Sequence, residues 1–174
     1  MHIVKSKTAP QKKINQPDMP TVVLMMRWHA INRCKSRLSK DTGAFKAAII
    51  QERLTNHTIN VAKRIQNEGH ARIKVAIDGI GIKAAKKWAK SNEINTVVLQ
   101  GPGNLGTKMK RQFLKTNALK TSSQQIRTPI ILIGTDLPSI SHFELIQAIE
   151  ILKKKRNSFR PLKRWWILAN RPIK

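Results

Sequence analysis

PIILIGTDLPSIS, at residues 129–141, decides how this chain folds. Four apolar residues, Ile130 to Ile133, run directly into Gly134-Thr135-Asp136. A short apolar run bounded by Pro and Gly reads as a strand buried on both faces, the pattern of a parallel sheet. Open α/β sheets place their ligands at the carboxyl ends of such strands. An acid there, beside a glycine that lets a ligand approach the backbone, points to a metal–phosphate site. The competing reading is that Asp136 caps the helix starting near Ser141, although Ser141 can cap that helix alone.

Three more apolar runs lie upstream, at residues 21–26 (TVVLMM), 72–77 and 95–99. Helical spacing fills the gaps. Phe45, Ala48, Ile49, Leu54, Ile59, Ala62 and Ile65 recur at three- and four-residue steps over 41–67, with Gly69 as a stop. Residues 83–90 read as a short helix with Ala84, Ala85, Trp88 and Ala89 inward. Helices also follow over 106–118 and over 141–155, the latter with Phe143, Ile146, Ile149 and Leu152. Strands alternating with helices predict an α/β fold, a Rossmann-like, mostly parallel sheet with helices on both faces. Residues 1–20, with Pro10, Pro17 and Pro20, read as a flexible leader to a domain over 21–163.

The formal charge is +25, which predicts nonspecific polyanion binding. The basic residues are spread along the chain, there is no Tyr, and four Phe and four Trp leave little for base stacking. A dedicated basic nucleic-acid-binding module is therefore the alternative from another functional class. The single cysteine, Cys34, excludes an internal disulfide framework, and no Cys/His group has zinc spacing. No run approaches a membrane span and the amino end lacks a secretory pattern, so a cytoplasmic protein is expected.

Three loops should open on one edge of the sheet. The first, RWHAINRCKSRL from Arg27, brings Arg27, Arg33, Lys35 and Arg37. Lys supplies a point charge and Arg a bidentate fork, which suits a diphosphate; the bland alternative is a solvated basic loop. The second, QGPGNLG from Gln100 to Gly106, is glycine-rich and opens a helix, where backbone amides bind anions or a base edge. No Gly-Lys-Ser/Thr follows, so it is no P-loop. The third is GTDLPS.

The order of these motifs resembles the arsenosugar-biosynthesis-type glycosyltransferases, relatives of the molybdenum-cofactor guanylyltransferases in the nucleotide-diphospho-sugar transferase superfamily. The residues that carry the resemblance are Arg27, KSRL at 35–38, QGPGNLGTKM at 100–109 and IGTDLPS at 133–139. It implies a GT-A-type fold that binds a nucleotide or nucleotide sugar, with the acceptor unspecified. It implies that Arg27, Lys35 and Arg37 hold phosphates. Gln100, Gly103, Asn104, Gly106 and Lys108 would lie on the nucleoside side, with Gly134 and Thr135 lining the metal end. Asp136 would be the catalytic residue, binding Mg²⁺ or Mn²⁺ against the diphosphate. Nucleotidyl transfer on the same fold is the nearest enzymatic alternative.

The departures are specific. His29 and Asn32 stand where the family has Pro and Gly; Asn104 stands for its Asp, and Lys108 for its Arg. The family also continues with Asp-Gly-Gly-Tyr-Trp-Leu, whose Asp is implied in binding metal or acceptor. Here the chain ends RWWILANRPIK over 164–174. Codons permitted for Arg164-Trp165-Trp166-Ile167-Leu168-Ala169-Asn170, read one base later, spell Asp-Gly-Gly-Tyr-Trp-Leu-Ile. The expectation is a frameshifted tail on a truncated, inactive transferase; the alternative is a natural basic–aromatic tail.

Overall fold

The computed structural model describes residues 19–117 and 129–157, so most of the expected leader and the whole of the tail fall outside the described residues. Four strands form one sheet: β1 (Thr21–Arg27), β2 (Arg72–Asp78), β3 (Val97–Leu99) and β4 (Ile130–Gly134). Their order is β3-β2-β1-β4, and every pairing is parallel, as the apolar runs predict. The helices are α1 (Ser36–Thr42), α2 (Ala44–Asn67), α3 (Ile82–Ser91), α4 (Leu105–Asn117) and α5 (His142–Asn157).

The chain steps outward from β1 to β2 to β3, then returns to the other side of β1 as β4. Crossovers in one direction place α2 and α3 on one face, and the return places α4 on the other. On the first face Ile59, Ala62 and Ile65 of α2, Ala85 and Ala89 of α3, and Leu145 and Ile149 of α5 cover Leu24, Met26, Val75 and Ile77. On the second face Met109 of α4 packs on Val23, Met25 and Ala76. β1 is central, and all six residues from Thr21 to Met26 are buried. Among the described residues no helix is long and apolar enough to cross a membrane.

Local expectations fail at four points. Helix begins at Ser36, inside the expected loop, and Gly43 at φ +85 separates α1 from α2. Glycine accepts that left-handed backbone, and its amide closes α1 on the Ser39 carbonyl at 3.0 Å. Phe45 and Phe143 are each 65% exposed instead of inward. The buried residues of their turns are Ala47 and Leu145, two positions on and about 200° around the helix, which turns each Phe outward. Ala84 is exposed for a related reason, since Ala85 and Ala89 hold the inward line of α3. β3 starts at Val97, two residues late.

Lys74 lies buried in β2 beneath α4, and its Nζ donates to Thr116 Oγ1 at 3.0 Å. Burial, and then the neighbouring charge of Lys115, push its ammonium below the ordinary 10.5. Between the folded value and 10.5 the unfolded chain binds more protons, so stability rises with pH across that window. We expect urea midpoints to climb as the pH rises through that window toward 10.5 and the climb to flatten in Lys74→Met. An equal slope in both proteins would remove Lys74 as its source.

Candidate functional site

The strand register brings the three loops to one edge. Arg27 pairs with Asp78, Leu99 with Ile77, and Met25 with Gly134. Gln100, Asp78, Arg27 and the segment after Gly134 therefore cross the carboxyl ends of adjacent strands in a row. At about 4.8 Å per strand the row spans roughly 14 Å.

Gln100 is buried, and its Nε2 donates to the carbonyls of Met26 and Ala76, both at 2.9 Å. Its backbone amide reaches the Ile77 carbonyl at 2.9 Å. Gly101 follows at φ +77, where a Cβ would stand 2.8 Å from Arg111 Nη1. Arg111 grips the carbonyls of Gln100 and Pro102. Gly103 has φ +108. Asn104 Oδ1 accepts from the amide and hydroxyl of Thr107 at 2.9 and 3.0 Å, which caps α4. Gly106 lies in the first turn of α4. The side chains of Gln100 and Asn104 thus hold the loop, leaving its backbone and Lys108 toward the edge. Lys108 Nζ bonds Asp78 Oδ2 at 2.8 Å. A hollow of about 240 Å³ between Asp78-Gly79-Ile80 and Gly101-Pro102 is rimmed by this pair. Sequence reasoning passed over Asp78; the available signal was an acid followed by glycine at a strand end.

The GTD loop is held from behind. Gln51 Nε2 donates to Thr55 Oγ1 at 3.2 Å, and Thr55 Oγ1 donates to Thr135 Oγ1 at 3.3 Å, all buried, two on α2 and one just after β4. His57 Nε2 lies 2.9 Å from the Ile140 carbonyl, so α2 pins both ends of the loop. At Gly134 a Cβ would meet Asp136 Oδ1 at 2.7 Å. Ser141 and Glu144 form a reciprocal capping box, with Ser141 N to Glu144 Oε2 at 2.8 Å and Glu144 N to Ser141 Oγ at 3.3 Å. That box caps α5, so Asp136 is released from capping, with its side chain 60% exposed.

The first loop meets the third through Lys35. This residue takes φ +46 just before α1, and its Nζ stands 3.9 Å from Asp136 Oδ2. Arg27, Arg33 and Arg37 are exposed and pair with no carboxylate among the described residues. Cys34 is buried and donates to the Ala30 carbonyl, which leaves it no nucleophilic role. Among the described residues no three His, Cys, Asp or Glu side chains gather into a metal cage. Asp136 is a single open carboxylate, which suits a cation that arrives with phosphate oxygens and keeps its waters.

We expect Gln100→Ala to strand two buried carbonyls and lower stability by about 1–3 kcal/mol in urea unfolding. A loss below about 0.5 kcal/mol would show that water replaces the amide freely.

A family model described as an uncharacterized protein conserved in bacteria (DUF2064) matches residues 61–170. No curated protein matches the chain. The fold is similar to a crystal structure named "putative nucleotide-diphospho-sugar transferase" from Desulfovibrio desulfuricans G20, with TM-score 0.58 and 17% sequence identity. The match covers 78% of this chain and 55% of that one, so this chain spans about half the length of that relative.

Proposed function

The chain belongs to the DUF2064 family, and on that footing we propose that it is a glycosyltransferase-like protein binding a nucleotide sugar at the carboxyl edge of its sheet. The observation that carries this reading is the approach of Lys35 to Asp136 across the gap between β1 and β4, where the strand order reverses. One basic loop and one acidic loop meet there beside Gly134. The likeness to the nucleotide-diphospho-sugar transferase fold supports the reading, and the motif order extends it to the arsenosugar-type branch.

In this reading Lys35 gives the diphosphate a point charge, and Arg37 and Arg27 give it forks. The nucleoside lies toward Gly101–Gly103 and the hollow beside Asp78. Asp136 would hold a Mg²⁺ or Mn²⁺ ion, which would supply positive charge beside the diphosphate. Lys35 would give up its loose contact with Asp136 for the phosphate. With Asn104 capping α4 rather than offering a carboxylate, Asp136 would carry the cation without a second carboxylate among the described residues. Donor binding should therefore exceed turnover. Nucleotidyl transfer would use the same diphosphate seat, and a comparison of sugar nucleotides with nucleoside triphosphates separates the two.

Thermal unfolding with a panel of nucleoside di- and triphosphates and sugar nucleotides, with and without Mn²⁺, tests this. A ligand at a hundred times its Kd should stabilise the chain by about 2.7 kcal/mol. Asp136→Ala should erase the Mn²⁺-dependent part of that shift, and Lys35→Ala should weaken binding with or without metal. No shift with any nucleotide, or a metal dependence unchanged in Asp136→Ala, overturns the proposal.

A further inference from the structure

α3 carries a charged face that the nucleotide reading does not use. Its sequence is IKAAKKWAKS, with Ala85 and Ala89 buried against the sheet. Trp88 packs on the same core and meets Trp28 edge-on, ring centroids 6.1 Å apart. Lys83, Lys86, Lys87 and Lys90 are all exposed. At 100° per residue these four fall within an arc of about 100°, opposite the buried alanines.

Nothing on the described surface neutralises them. α3 has no acid, and none of the four lysines pairs with a carboxylate among the described residues. The nearest acid in sequence, Glu93, is taken by Lys63 Nζ at 2.7 Å. Below the face, Lys86 and Lys90 border a hollow of about 490 Å³ that also takes in Glu93, itself paired with Lys63, and reaches Asn95 and Thr96 just before β3, an edge strand.

We propose that this face of α3 docks the phosphate backbone of a nucleic-acid strand. The match is one of charge spacing. From Lys83 to Lys90 the helix rises about 10.5 Å. In a duplex each strand advances about 3.4 Å of axis per phosphate, so about three phosphates fall within that length. An extended acidic peptide places same-side carboxylates about 6.8 Å apart, a lower charge per length of axis than a duplex offers. A membrane surface is disfavoured by the burial of the helix's apolar side. Ile82, at 40% exposure, is the one large hydrophobic side chain α3 leaves open among the described residues, and interfacial helices need an apolar face to insert. The absence of exposed aromatic platforms on α3 makes the contact electrostatic and indifferent to base sequence.

The test is fluorescence anisotropy of a labelled duplex oligonucleotide with the full chain, titrated from about 50 to about 200 mM KCl. The variant Lys83→Gln/Lys86→Gln/Lys87→Gln/Lys90→Gln keeps good helix formers and should retain its circular-dichroism spectrum. It should lower the slope of log K against log salt by about 3 to 4, from about 0.9 per released phosphate contact. A control with equal charge loss, Lys40→Gln/Lys46→Gln/Lys153→Gln/Lys154→Gln, should change the slope by less than about 1. Equal losses in both variants would assign binding to diffuse net charge and overturn the proposal. So would an absence of oligonucleotide binding, or retention on phosphatidylglycerol vesicles or polyglutamate that depends on the α3 lysines while oligonucleotide binding does not.

Discussion

One side-chain amide ties the candidate site together. Gln100 leaves β3 and donates both Nε2 protons to carbonyls at the ends of β1 and β2, while its backbone amide bonds β2 again. Three strand ends are thus fastened by one residue. An amide suits this position because it offers two donors from one planar group, and two carbonyls on adjacent parallel strands stand within its reach. The Gly101–Gly103 turn starts from that anchor, and Arg111 closes it from the α4 side. Without the anchor, the loop amides would lose their tie to β1, which Asp78 keeps through the ladder with Arg27.

The GTD loop depends on an analogous device of opposite polarity. α2 buries Gln51, Thr55 and Thr58 along with Ala47, Ile59, Ala62 and Ile65. Buried hydroxyls in a helix are unfavourable unless partnered. Here Thr58 bonds back to the Leu54 carbonyl at 3.0 Å, and Gln51 and Thr55 pass hydrogen bonds on to Thr135. The helix therefore does more than cover the sheet. Its polar turn fixes the backbone from which Asp136 projects, and the exposed carboxylate is set by a buried network rather than by its own contacts.

The sequence made the repeating parts legible. Runs such as TVVLMM and PIILIG identify buried parallel strands because a strand covered on both faces must be apolar throughout. The three loops then fall on one edge by topology alone. What it hid were contacts between polar groups far apart in the chain. The Thr55–Thr135 bond spans eighty residues and the Lys108–Asp78 pair thirty, and neither leaves a periodic trace. Apolar periodicity also misplaced Phe45 and Phe143, because a step of three or four residues marks a stripe without saying which way it faces. At α1 the basic composition concealed a helix that Gly43 ends by a left-handed turn.

The two cation–carboxylate pairs at the edge differ in a way that divides the site. Lys108 and Asp78 touch at 2.8 Å with side chains only 17% and 31% exposed. Lys35 and Asp136 stand at 3.9 Å with the carboxylate 60% exposed. An open, loose pair gains little from its own attraction, so exchanging it for phosphate and cation contacts costs little. The tighter pair gives up more if broken, and it sits against the fastened loop. The edge thus has a stiff end at Asp78 and an exchangeable end at Asp136. On the proposed reading, a diphosphate entering along the row would displace the weaker pair first, because that pair has the least attraction to give up.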